Sequence, residues 1–178
     1  MIAKCVQDYF LNELVNTMLP RDAGGQEEGE GSGEGSSDRS SYSSLPVEVA
    51  VSNIESIGFQ VGQRIVEGRA KGMRRMKGAR DVMKFMCKDF WAFAFGATKV
   101  PRLQTNNYDT YVIEDTNFSL LEHVAPVGDV DFDTEVLKFL IYPCGLIRGA
   151  LSSLGVVCTV NAECTESPKV KFTILCLV

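Results

Sequence analysis

The chain has one histidine and one tryptophan in 178 residues. It contains no Cys-x₂-Cys, no Cys-x₄-Cys, no Gly-x-Gly-x-x-Gly and no Gly-x-x-x-x-Gly-Lys-Ser/Thr. Each absence removes a class of chemistry. A Ser/His or Cys/His catalyst would have to use His123, which lies in LLEHVAP with no cysteine or glycine elbow beside it. Zinc is unsupported, because the six cysteines (Cys5, Cys87, Cys144, Cys158, Cys164, Cys176) come no closer than Cys158 and Cys164. Most of them sit in apolar runs, where free cysteine acts as a small hydrophobe. Without a glycine-rich phosphate loop, nucleotide binding by this chain alone has no basis. Asp129, Asp131, Asp133 and Glu135 alternate as a calcium loop might, but Thr134 and Ile141 stand where the EF-hand needs glycine and glutamate. A solvated acidic loop from Gly128 to Glu135 is the expectation. No catalytic residue, metal or cofactor is assigned.

Charge of one sign is also missing as a field. The formal net charge is −5, and most of it sits between Arg21 and Ser44, where six acids face two bases. The remainder is close to neutral, which argues against nucleic acid as a partner. Polar residues interrupt the N-terminus, so no secretory apolar region is expected. No unbroken apolar run reaches the ~18 residues of a spanning helix. A reducing cytosolic compartment fits the unpaired cysteines.

What is present is periodic. Ile2 to Leu19 predicts an amphipathic helix with Ile2, Val6, Tyr9, Phe10, Leu14 and Met18 at helical spacing, stopped by Pro20. The next residues, GGQEEGEGSGEGSSDRSSYSS, cannot bury enough apolar surface to offset chain entropy, so 21–45 is expected to be a disordered insertion. Its serines fit either a phosphorylated segment or a plain linker. Pro46 to Glu67 predicts a second helix with Val51, Ile54, Ile57, Gly58, Val61 and Ile65 on one face. Gly58 and Gly62 stand one above the other on it. That stacking means either close approach of another backbone or a cost that packing tolerates. We divide the chain into an N-terminal helix (1–20), the insertion (21–45) and a main body (46–178) of the same domain.

Arg69 to Arg80 is basic throughout. It is either a solvated connection or a patch (Arg74, Arg75, Lys77) facing anionic lipid at roughly 1 kcal/mol per charge. Asp81 is the expected N-cap of a helix from Val82 to Phe95, apolar nearly all round at FWAFAF, hence central and covered on most sides. Strands follow at Arg102–Asn106 and Tyr108–Asp115 around an Asn-Asn-Tyr-Asp turn. Pro143 is expected in the first turn of a helix reaching Leu154, with Gly145 and Gly149 four apart and Gly155 as its stop. Val156–Cys164 and Lys169–Val178 make a second hairpin. The fold class is therefore α+β: a single domain with helices packed on an antiparallel sheet.

Four segments, IGFQVGQRIVE, DVMKFMCKDFWAFAF, RLQTNNYDTYVIED and CGLIRGALSSLGV, resemble in order and spacing the small subunits of the TRAPP (transport protein particle) tethering complex, most closely the subunit-6 branch. The resemblance covers Pro46 to the C-terminus and, more loosely, the first helix; the insertion is outside it. It implies a four-stranded antiparallel twisted sheet against helices and a non-catalytic scaffold. It further implies a heterodimer with a paralogous small subunit, formed through the first two helices. The assembled complex tethers vesicles in ER-to-Golgi and intra-Golgi transport and promotes nucleotide exchange on a Rab-family GTPase. The implied location is cytoplasmic, peripheral to those membranes. Carried onto this chain, the partner surface is Tyr9, Phe10, Leu14 and Met18 with Ile54, Ile57, Val61 and Ile65. The related core subunits carry an acylated cysteine just before the third helix; Met73 to Asp81 here contains none, and Cys87 lies inside the helix. The alternative reading is a hydrophobic small-molecule- or lipid-binding module of the same fold, its pocket lined by Phe90–Phe95 and Leu146–Leu154.

Overall fold

The computed structural model describes residues 2–19, 46–69, 76–106, 108–122, 124 and 132–177. The insertion, Arg74, Arg75, His123 and Asp129 lie outside the described residues, as does Asp131. Helix α1 (Ile2–Met18) turns a row of Leu11, Val15 and Leu19 inward, each buried. The residues chosen from the sequence form the neighbouring rows: Tyr9 is 74 % and Phe10 45 % exposed, and Leu14 and Met18 are half-buried.

Helix α2 (Val47–Arg69) buries Ala50, Ile54, Gly58, Gly62 and Val66, spaced four apart, against helix α5 (Phe132–Ser153). The glycines set the separation. A Cβ on Gly58 or Gly62 would strike the carbonyl oxygens of Tyr142 and Leu146, and one on Gly145 or Gly149 those of Glu55 and Phe59. Two small-residue rows thus face each other, and the helices meet backbone to backbone. The stacked glycines read as close approach, not as tolerated cost.

Helix α5 corrects two expectations. It begins at Phe132, so the end of the supposed acidic loop is helical, and Glu135 is buried and paired with Lys138 Nζ at 2.9 Å. Pro143 lies inside the helix, not in its first turn. An interior proline costs about 3 kcal/mol. Val136, Phe139, Leu140, Tyr142, Leu146, Ile147, Ala150 and Leu151 are all buried on the same helix, and each large apolar side chain returns roughly 1.5–3 kcal/mol. Burial therefore outweighs the lost hydrogen bond. Glu135–Ser153 is long and apolar enough by composition to cross a membrane, but 61 % of that window is buried inside the domain. Its apolarity is accounted for by α2 and the sheet. The helix ends where Gly155 (φ 79°) turns the chain, with Val156 N–H bonded to Leu151 O at 2.9 Å and Gly155 N–H to Ser152 O at 3.0 Å.

Helix α3 (Ala79–Phe85), a π-helical turn (Met86–Phe90) and helix α4 (Trp91–Phe95) run end to end. Gly78, not Asp81, occupies the N-cap; Asp81 reaches back instead, accepting from Lys77 N–H at 3.4 Å. The π turn inserts one residue into the helical period, which keeps a strict four-residue repeat facing inward: Val82 and Met83, Met86 and Cys87, Phe90 and Trp91, Ala94 and Phe95 are all buried. The rod is not covered all round: Ala92 and Phe93 are exposed. Gly96 (φ 62°) ends it.

The sheet order is β1-β2-β4-β3, all antiparallel. β1 (Arg102–Thr105) and β2 (Thr110–Asp115) form the first hairpin. Its turn is held by Asn106 Oδ1, which accepts from Tyr108 N–H at 2.9 Å and Thr110 N–H at 3.1 Å. β3 (Cys158–Glu166) and β4 (Lys169–Cys176) form the second, with a bulge between Cys164 and Glu166. Pairing of β2 with β4 joins the hairpins. Tyr111, Ile113, Asp115, Val170, Phe172 and Ile174 face the helices. Trp91, Phe95, Phe118 and Phe172 form one aromatic cluster there, with ring centroids 4.7–6.2 Å apart. These side chains fill the volume beneath α4.

Candidate partner surface

Two apolar depressions lie on the first two helices. One, about 220 Å³, is formed by Phe10, Leu14 and Met18 with Glu13 and Thr17 at its margin. Phe10 leans edge-on against Tyr142, 6.0 Å between centroids, which fixes its ring while 45 % of the residue stays in solvent. The other, about 620 Å³, runs along α2 past Val61 and Ile65 to Phe93 of α4, rimmed by Gln60, Arg64 and Arg69. Arg69 stacks its guanidinium 3.9 Å above the Phe93 ring. Arg64 is tied to Glu67 at 2.8 Å.

Of the residues chosen from the sequence, Tyr9, Phe10, Leu14, Met18, Ile57, Val61 and Ile65 retain accessible surface. Ile54 does not: it is 0 % exposed and belongs to the α2–α5 contact. It is removed from the surface because position 54 lies on the glycine row that α5 covers. Conversely, sequence periodicity misses Phe93 and Arg69. Phe93 is hidden within FWAFAF, where nothing local distinguishes its exposed ring from the buried ones. Lys77 of the basic patch is exposed; its companions Arg74 and Arg75 lie outside the described residues.

Among the described residues this surface carries no nucleophile poised for reaction. Burial pushes the Cys87 thiol up to about 11, and burial with the nearby Glu55 carboxylate pushes Cys144 up to about 12. Burial and, secondarily, Cys176 raise Cys158 to about 11. All three are neutral thiols at physiological pH. Nor, among the described residues, is any group of three His, Cys, Asp or Glu side chains placed to hold a metal ion.

A family model described as "Transport protein particle (TRAPP) component" matches residues 3–176. Trafficking protein particle complex subunit 6b of Danio rerio is 41 % identical over 125 residues, 70 % of this chain and 78 % of that protein. The human subunit 6B is 38 % identical over 125 residues (70 % and 77 %), and the human subunit 6A 36 % over 128 (72 % and 79 %). Among solved structures, a trafficking protein particle complex subunit 3 from Naegleria fowleri, covalently bound to palmitic acid, superposes with a TM-score of 0.72. That alignment covers 99 % of this chain and 96 % of the other at 14 % identity, a likeness of fold. These relatives are components of a membrane-trafficking complex, and over nearly its whole length this chain belongs to the TRAPP component family.

Proposed function

We propose that the chain is a non-catalytic scaffold subunit of a TRAPP complex that pairs with a paralogous small subunit through α1 and α2. The observation that carries this reading is the exposure of Tyr9 and Phe10 on α1 together with an accessible apolar groove at Val61 and Ile65 on α2. Burying an exposed large apolar side chain contributes roughly 1.5–3 kcal/mol, so these residues together supply the core of a stable interface. Paired in this way, the subunit supports the assembled complex in promoting nucleotide exchange on a Rab-family GTPase. The setting is ER-to-Golgi and intra-Golgi vesicle transport, on the cytoplasmic side of those membranes. Lys77 and its basic neighbours give a peripheral contact with anionic lipid.

Two further observations support a scaffold over a ligand-binding module. The aromatic cluster around Trp91 occupies the interior, and the thiols inside the domain are buried and neutral. The test is co-expression with candidate paralogous small subunits followed by size-exclusion chromatography. A 1:1 complex, lost on Phe10→Glu or Val61→Glu, supports the reading. Monomeric elution of the folded chain beside every paralogue overturns it.

A further inference from the structure

The two edges of the sheet are built differently. β1 is four residues long, follows Pro101 and begins with Arg102. Shortness, proline and charge are the usual devices that keep an edge from pairing. β3 is nine residues long, and from Cys158 to Ala162 it carries no charge and no proline. Its bulge lies only beyond, between Cys164 and Glu166.

The direction of its main-chain groups follows from the register. Leu177 N–H bonds to Val157 O, and Cys176 N–H to Asp109 O, each at 2.8 Å. Bonding direction alternates along an antiparallel ladder. With Cys158 opposite Cys176, Thr159, Asn161 and Glu163 bond to β4. The N–H and C=O groups of Cys158, Val160 and Ala162 therefore point outward from the sheet. Below this edge, between β3 and helices α2 and α5, runs a groove of about 410 Å³. Val51, Leu137, Ile141 and Cys144 line it, with Val160 and Ala162 on the strand side, and the Glu55–Arg148 ion pair (3.0 Å) also borders it. Leu137 is 47 % exposed.

We propose that this edge is a strand-addition site for an extended, uncharged segment of another TRAPP component, with apolar residues at every second position. The outward main-chain groups require a strand, and the groove requires that its alternate side chains be apolar. A second copy of this chain is a poorer occupant. The uncharged edge is five residues, about 17 Å, and pairing two such edges falls short of the roughly 1,200 Å² at which stable interfaces begin. A segment already held in the same assembly has no such threshold, because tethering supplies a millimolar effective concentration. This inference rests on membership of the complex proposed above.

Hydrogen exchange at single-residue resolution tests it, on the free chain and on the complex purified through a tag on this chain. The amides of Val160 and Ala162 should exchange freely in the free chain and slow by about 100-fold or more in the complex, while Asn161 is protected in both. Ala162→Lys, which sets a charge at the groove, and Val160→Pro, which removes an outward N–H that serves no ladder bond, should abolish the gained protection at the remaining edge amide. Fast exchange at Val160 and Ala162 in a complex that contains other TRAPP components overturns strand addition alone. Purification without any such component overturns the complex reading and, with it, this one. Protection in the free chain that grows with concentration overturns it in favour of a second copy. Should either variant melt early, exchange in the unsubstituted chain decides by itself.

Discussion

Trp91 donates its indole N–H to Oδ2 of Asp115 at 2.7 Å, a buried bond between the central helical rod and the last residue of β2. Asp115 Oδ1 accepts from Asn117 N–H at 3.0 Å, so the carboxylate is held from both sides. Breaking one side strands a charge-bearing acceptor away from water. Trp91→Phe should cost about 3 kcal/mol or more, from the lost bond and the smaller ring. Asp115→Asn keeps an acceptor and should cost less. Urea unfolding followed by far-UV circular dichroism distinguishes the two; equal losses would contradict this account.

The glycine rows between α2 and α5 make a contrast within one helix. Gly62→Ala or Gly149→Ala drives a methyl into a backbone carbonyl and should destabilise by about 3 kcal/mol or more. Gly68, also on α2, faces open space, and a methyl there would meet nothing within 4 Å. Gly68→Ala should therefore stabilise by roughly 0.4–1 kcal/mol, through the unfolded chain. Thermal melts of the three variants check the sign at each site.

Alkaline pH should weaken the domain through its buried thiols. An unfolded cysteine ionises near its ordinary value of 9.0, whereas Cys87 is held near 11 and Cys144 near 12. Between those values the folded state binds more protons than the unfolded one, so stability falls as pH rises. The slope reaches about 1.4 kcal/mol per pH unit for each such thiol, and the loss is absent below about pH 8. Cys87→Ala should flatten the profile above about pH 9. The same burial predicts that Cys87 carries no fatty-acyl thioester, which intact-protein mass spectrometry reads directly.

At the partner surface, Tyr9→Glu should leave the melting temperature of the free chain nearly unchanged, since Tyr9 is already 74 % exposed. Its affinity for a paralogous small subunit should fall about 30-fold or more, equivalent to ~2 kcal/mol. An apolar interface of this kind should weaken little between low and high salt. Titration calorimetry at two ionic strengths checks both statements.

The local signals legible in the sequence share one property: each is set by neighbours along the chain. The alternation of Tyr111, Ile113 and Asp115, the stop at Gly96 and the turn around Asn106 depend on period, backbone freedom and a short polar side chain. Pro143 departs from its expected place although the local rule is correct, because only the burial of the surrounding α5 residues outweighs it. Asp81 is not the cap because the helix starts earlier, at Ala79. For the partner surface, periodicity finds apolar rows on α1 and α2 but not which row faces inward. On α1 the core takes Leu11 and Val15 and leaves Tyr9 and Phe10 outside; on α2 it takes Ile54.

The sequence by itself determined the α+β class, the two hairpins and the family, because periodicity, turn chemistry and segment order are written along the chain. The tertiary structure decided which apolar residues remain for a partner and which sheet edge is open. Those outcomes depend on how closely α2 and α5 approach through their glycines, and on the pairing of β2 with β4 that leaves β3 outermost. Both are contacts between distant segments, so the competition for burial that settles them exists only once the chain has folded.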